Sequence, residues 1–189
     1  MPLNAEKRHI SSYFIPLAVF LAIVIFLWRG LSMDPHIIPS MLINKPAPSF
    51  TMPSLADPNL ILTKKDLIGK TSLLNVWSTW CSSCREEHDV LLAIAATKKV
   101  VIYGLDYKDD RAKAKQLLKQ LGNPYHAVIF DAKGKMALDW GVYGTPETFL
   151  IDANGIVRYK HVGPLTMKIW QYEFEPLLNE AKSTKNPSR

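Results

Sequence analysis

Residues 13–28 (YFIPLAVFLAIVIFLW) carry no charged side chain and almost no polar one, and the apolar run extends weakly to Ile10 and Leu31. At ~1.5 Å per residue, a helix of this length roughly matches a ~30 Å hydrocarbon core, with Arg29 snorkelling at one end. A cleaved signal peptide needs small residues after its apolar core. Here the sequence continues Leu27-Trp28-Arg29-Gly30-Leu31, so the pattern predicts an uncleaved anchor over residues 10–31. Lys7 and Arg8 precede the span and Arg29 follows it. This places residues 1–9 in the cytoplasm and the rest of the chain outside.

Prolines then crowd at positions 35, 39, 46, 48 and 53, which predicts an extended linker over residues 32–46. Beyond it, short apolar runs alternate with helical periodicity. Residues 72–77 (SLLNVW), 100–105, 127–130, 148–151 and 156–160 read as strands, several of them β-branched. Residues 84–96 and 109–121 read as helices between the first three strands, the second ended by Gly122-Asn123-Pro124, and a last helix covers about 166–180. Asp152-Ala153-Asn154-Gly155 is a hairpin turn, so the last two strands should run antiparallel. The layout predicts one α/β unit over residues 47–181, with a mixed central sheet and helices on both faces, and a flexible tail over 182–189.

Composition narrows the function. Lysine and arginine exceed aspartate and glutamate by 23 to 17, a net +6 with no dense basic run, so no nucleic-acid partner is required. The two cysteines, Cys81 and Cys84, exclude a disulfide-stapled scaffold. They sit where a strand passes into a helix. Spacing of three at a helix start puts both sulfurs on one face within disulfide reach, and the helix N-terminus favours thiolate at Cys81. Cys81 is therefore the expected nucleophile and Cys84 the resolving thiol. A structural bridge closing so small a loop would stabilise little. Zinc would need further ligands, and none of the five histidines lies three to five residues from another. No metal or cofactor is expected.

Two stretches carry a resemblance. Residues 77–88 (WSTWCSSCREEH) look like the active-site segment of thioredoxin-like proteins, and residues 141–152 (GVYGTPETFLID) resemble their second signature. With Ala47-Pro48-x-Phe50 and the single N-terminal anchor, the chain is similar to the membrane-tethered cytochrome c maturation thioredoxins, the CcmG or DsbE family, over roughly residues 45–180. The resemblance implies a thioredoxin-like fold, a cis Thr145-Pro146 bond facing the dithiol, and substrate contacts from Trp80, Thr145, Pro146 and Glu147.

It also implies that Glu87 tunes the thiols and relays protons, since Asn75 stands where ordinary thioredoxins carry a titratable aspartate. His88 is read as a solvated helix residue. The implied function is reduction of apocytochrome c, or of a maturation protein, by a monomer on the periplasmic side of a bacterial inner membrane, recharged by a membrane-embedded electron donor. A general disulfide oxidase or isomerase and a non-catalytic apocytochrome tether are the alternatives. A peroxidase is excluded, because a peroxidatic cysteine would not normally sit in a CxxC pair.

Overall fold

A computed structural model describes residues 6–31 and 41–178, with side chains of the first helix described from Phe14 to Gly30. The expected tail over 182–189 and residues 32–40 of the expected linker lie outside the described residues. The chain divides into two units, residues 1–38 and 39–189. The first is the helix α1, Glu6–Leu31, whose large apolar side chains, Phe20, Ile25 and Phe26 among them, are exposed. Among the described residues no helix is long and apolar enough to cross a membrane.

The second unit is built on a five-stranded sheet. Its strands are β3 (Ser72–Trp77), β4 (Val101–Tyr107), β5 (Ala127–Asp131), β6 (Glu147–Ile151) and β7 (Val157–Val162), preceded by the small hairpin β1 (Thr51–Pro53) and β2 (Ile61–Thr63). The order across the sheet is β5-β4-β3-β6-β7. β3 pairs parallel with β4 and antiparallel with β6, and β6 pairs antiparallel with β7, so the sheet is mixed as the turn signal implied.

Alternation along β3 divides the core. Leu73 and Trp77 face one layer with Leu91, Ile94, Ala114, Leu118 and Phe174, drawn from the helices α3 (His88–Ala96) and α4 (Arg111–Leu121) and from the C-terminal helical segment. Leu74 and Val76 face the other layer with Leu67, Met136 and Trp140, the last two in or beside the short helix α5 (Lys135–Asp139). The sequence reading omitted α5 and the β1–β2 hairpin. Five residues or fewer show no helical period, and a three-residue strand with one buried side chain shows no alternation.

Backbone ties to the sheet begin before residue 47. Asn44 N donates to Val157 O at 2.7 Å, Val157 N to Lys45 O at 3.0 Å and Ala47 N to Gly155 O at 2.8 Å, while Leu42 and Ile43 pack on the second core layer. A chain beginning at Met41 is therefore expected to melt within a few degrees of the full-length protein. One beginning at Thr51, which loses Ala47 and Phe50 from the core, is expected to lose at least about 2 kcal/mol, read by denaturant titration.

Candidate active site

The dithiol grows out of the C-terminal end of β3. After Trp77 the chain turns through Ser78–Trp80, and Cys81 caps the helix α2 (Ser82–Glu86) with extended backbone, φ −89° and ψ 111°. Its sulfur accepts the Cys84 amide at 3.0 Å, one of the N–H groups a helix start leaves unpaired. Cys81 and Cys84 are joined in a disulfide with Cα atoms 5.3 Å apart, so the described state is oxidised. Each cysteine is 6% exposed, so accessibility does not distinguish the two; the amide donor to Cys81 does. In the reduced protein, iodoacetamide at neutral pH is expected to label Cys81 before Cys84, as read by peptide mapping.

The turn ahead of Cys81 is braced from the loop between β4 and α4. The Asp109 carboxylate accepts from the Thr79 amide and, at 2.7 Å, from its hydroxyl. Trp80 Nε1 donates to Lys108 O at 3.1 Å, leaving an indole that is 59% exposed directly before the nucleophile. Arg85 reaches back to Thr79 O at 3.0 Å. A shallow cavity of about 370 Å³ opens beside these residues, with Lys113 also on its wall.

Glu87 interrupts the helix that the sequence pattern reads as continuous over 84–96: α2 ends before it and α3 begins after it. Its side chain is 1% exposed. Oε1 accepts from Asn75 Nδ2 at 2.8 Å and Oε2 from the Leu165 amide at 2.7 Å. Burial raises its pKa from 4.5 to about 7, more than those two hydrogen bonds lower it. Asn75 cannot titrate, but it organises the site. Besides Glu87 it donates to Thr148 Oγ1 at 3.1 Å and accepts from the Tyr125 hydroxyl at 2.8 Å. Tyr125 stacks on Trp77 with ring centroids 5.6 Å apart. Gly104 makes room for that stack, because a Cβ there would lie 2.9 Å from Trp77 Nε1 and 3.1 Å from Tyr125 Cγ. Tyr125 carries no motif, which is why sequence reasoning missed it.

The antiparallel register Val76↔Glu147 puts the loop before β6 at the same end of the sheet as the dithiol. The Thr145-Pro146 bond is cis. Glu147, expected among the substrate contacts, is 0% exposed. Oε1 accepts from the Tyr143 amide at 2.9 Å and from Gly144 at 3.4 Å, and Oε2 pairs with Lys160 Nζ at 2.9 Å. With both oxygens so engaged it holds the loop and has no face toward a bound peptide. His88 also departs from expectation. It is 6% exposed with Nε2 3.1 Å from Gly122 O, because α3 lays it against the end of α4. Among the described residues, no group of three or more His, Cys, Asp or Glu could hold a metal ion.

A disulfide-forming CxxC at a helix start, on a mixed sheet with a cis-proline loop beside it, defines a thioredoxin-like protein-disulfide oxidoreductase. The Redoxin family profile matches residues 42–174. The chain is 51% identical over 166 residues to the thiol:disulfide interchange protein DsbE of Pseudomonas aeruginosa, covering 88% of this chain and 92% of that one. It is 48% identical over 164 residues to the protein of the same name from Allochromatium vinosum, covering 87% and 91%. A secreted thiol-disulfide isomerase of Corynebacterium glutamicum shares the fold at 20% identity, with a TM-score of 0.65 over 78% of this chain and 96% of that one. The chain belongs to the DsbE, or CcmG, family of thiol:disulfide interchange proteins.

Proposed function

We propose that the protein is a membrane-anchored reductant of cytochrome c maturation, acting on the disulfide of an apocytochrome CxxCH segment or of a maturation partner. The observation that carries the direction of exchange is Glu87. A strong oxidant needs a very stable reduced thiolate, and a buried carboxylate three residues past Cys84 opposes thiolate formation. The family relationship supplies the partner class.

Cys81 thiolate attacks a partner sulfur, forming a mixed disulfide and releasing the first partner thiolate. Glu87, three residues past Cys84, would accept the Cys84 proton. Cys84 then attacks Cys81 Sγ, which closes the intramolecular bond and releases the second partner thiolate. Two electrons pass to the partner, and its two thiolates take up protons. Trp80 and the Thr145-Pro146 backbone would receive the peptide, with Glu147 holding that loop in place. The anchor reading rests on the full apolar run back to Ile10, longer than the part of α1 whose side chains are described. It puts the thioredoxin-like unit in the periplasm, with the proline-rich residues before Leu42 as its tether.

The Cys84→Ser variant tests this. Incubated with oxidised CxxCH peptide it should accumulate a mixed disulfide through Cys81, and reduced wild-type protein should pass its two electrons to that peptide's disulfide, ending as the Cys81–Cys84 disulfide with a peptide dithiol. A wild-type Cys81–Cys84 disulfide that takes electrons from reduced peptide, with the reverse transfer not observed, would make the protein an oxidase.

A further inference from the structure

Asp106 lies outside the mechanism above. It occupies β4 in register with Trp77 of β3 and Phe130 of β5, and like Gly104 two residues earlier it faces the Trp77–Tyr125 side of the sheet, the side that holds the dithiol. Its side chain is 0% exposed, and among the described residues neither carboxylate oxygen has a hydrogen-bond donor. Trp77 and Phe130 bring no charge to it. The charged groups around it are Asp109 and Asp110 from the following loop and Arg111 from α4, whose guanidinium lies 4.2 Å from the centre of the Phe130 ring; burial raises the pKa of Tyr125, and the charges of Glu87 and Asp106 both act on it to raise it further. Asp109 lies within hydrogen-bonding reach of Asp106. Two carboxylates cannot face each other at that range without a proton between them.

We propose that Asp106 and Asp109 form a carboxyl pair sharing one proton, and that this proton clamps the Thr79–Cys81 turn in its exchange-competent position. Asp109 is the brace of that turn through the Thr79 amide and hydroxyl. With the proton in place, Asp106 donates to Asp109 and fixes its orientation. With the proton gone, two adjacent charges, one of them fully buried, push Asp109 away from Thr79. Asp106 is thus a positioning residue, and its burial and acidic neighbours raise its pKa from 3.8 to about 8. The exchange rate then has a ceiling on its alkaline side. It climbs as the Cys81 thiol ionises and turns down as the clamp opens.

The test uses the oxidised full chain in detergent, in which neither cysteine titrates. The Asp106 side-chain carboxyl carbon and the Thr79 amide should shift together in NMR spectra with a midpoint near pH 8. In Asp106→Asn, whose amide donates permanently, the Thr79 step should vanish while the step belonging to Glu87 persists. The rate of peptide-disulfide reduction by that variant should no longer turn down above its maximum. An Asp106 carboxyl that titrates in the ordinary acid range, below about pH 5, overturns the proposal on the wild-type chain alone, whether or not the variant folds. A Thr79 step that survives in Asp106→Asn overturns it equally.

Discussion

Glu87→Gln is expected to flatten the dependence of stability on pH by about 3 kcal/mol between pH 4.5 and 8. The carboxyl of Glu87 has its folded pKa raised from 4.5 to about 7, so the native state binds its proton more tightly than the unfolded chain does. The stabilising contribution is complete below pH 4.5 and is lost as pH rises through about 7. At about 1.4 kcal/mol for each pH unit, that rise is worth about 3 kcal/mol. Glutamine cannot ionise, so this part of the slope disappears. It also has one oxygen for the two donors Asn75 Nδ2 and Leu165 N, which costs about 1–2 kcal/mol at every pH. The variant should therefore be weaker than wild type at pH 5 and equal or better at pH 8. Urea titrations at the two values, corrected for the parallel contribution of Asp106 in both proteins, read the difference. The same substitution removes negative charge near the thiols and should lower the apparent pKa of Cys81. An unchanged slope and an unchanged thiol titration would make Glu87 a bystander.

Lys160→Met is expected to cost about 3–5 kcal/mol, because it removes one partner of a buried ion pair. The Lys160 side chain is 2% exposed and its ammonium pairs with Glu147 at 2.9 Å, donates to Gly141 O at 2.8 Å and lies 4.6 Å from the centre of the Tyr143 ring. Methionine keeps the stem and strips the charge. Glu147 would then stay buried with only the two loop amides as partners, and the loop leading to Pro146 would lose its fastening. Thermal denaturation should show a drop of roughly 10 °C or more. Disulfide exchange should slow with the Cys81 thiol pKa unchanged. The double variant Lys160→Met with Glu147→Gln should recover part of the stability, because no lone charge is then left inside. Full additivity of the two substitutions would show that the pair is not coupled.

Much of this was readable in the residues. The five principal strands, the antiparallel final hairpin and the place of Cys81 and Cys84 follow from apolar runs, Gly-containing turns and the helix start. These are local signals that burial reinforces. The break at Glu87 was not readable, since the helical periodicity of residues 84–96 runs across it and the donors that hold the Glu87 side chain, Asn75 and Leu165, come from distant parts of the chain. Glu87 and Glu147 look like surface charges in sequence. Their burial depends on donors supplied from positions as far as 78 residues away along the chain, in the case of Leu165. Lys160 gives no signal at all. Asp106 gives a faint one, a lone acid inside the apolar run VIYGLDY.

Both margins of the five-stranded sheet are obstructed. At one, Ser54 bridges to Ile129 and the Leu55 amide bonds to Val128 O across β5; at the other, Pro46 bridges to Ile156 and Asn44 and Lys45 bond to Val157 at the start of β7. Further along β7 the exposed Arg158 adds a charge that discourages a neighbour. An oxidoreductase must handle chains that are not yet folded, and an open strand margin would invite such a chain to add itself as an extra strand and stay. With β5 and the start of β7 covered, a client finds little strand margin to extend, and one held instead through loops that make few backbone bonds is free to leave once its disulfide has been exchanged.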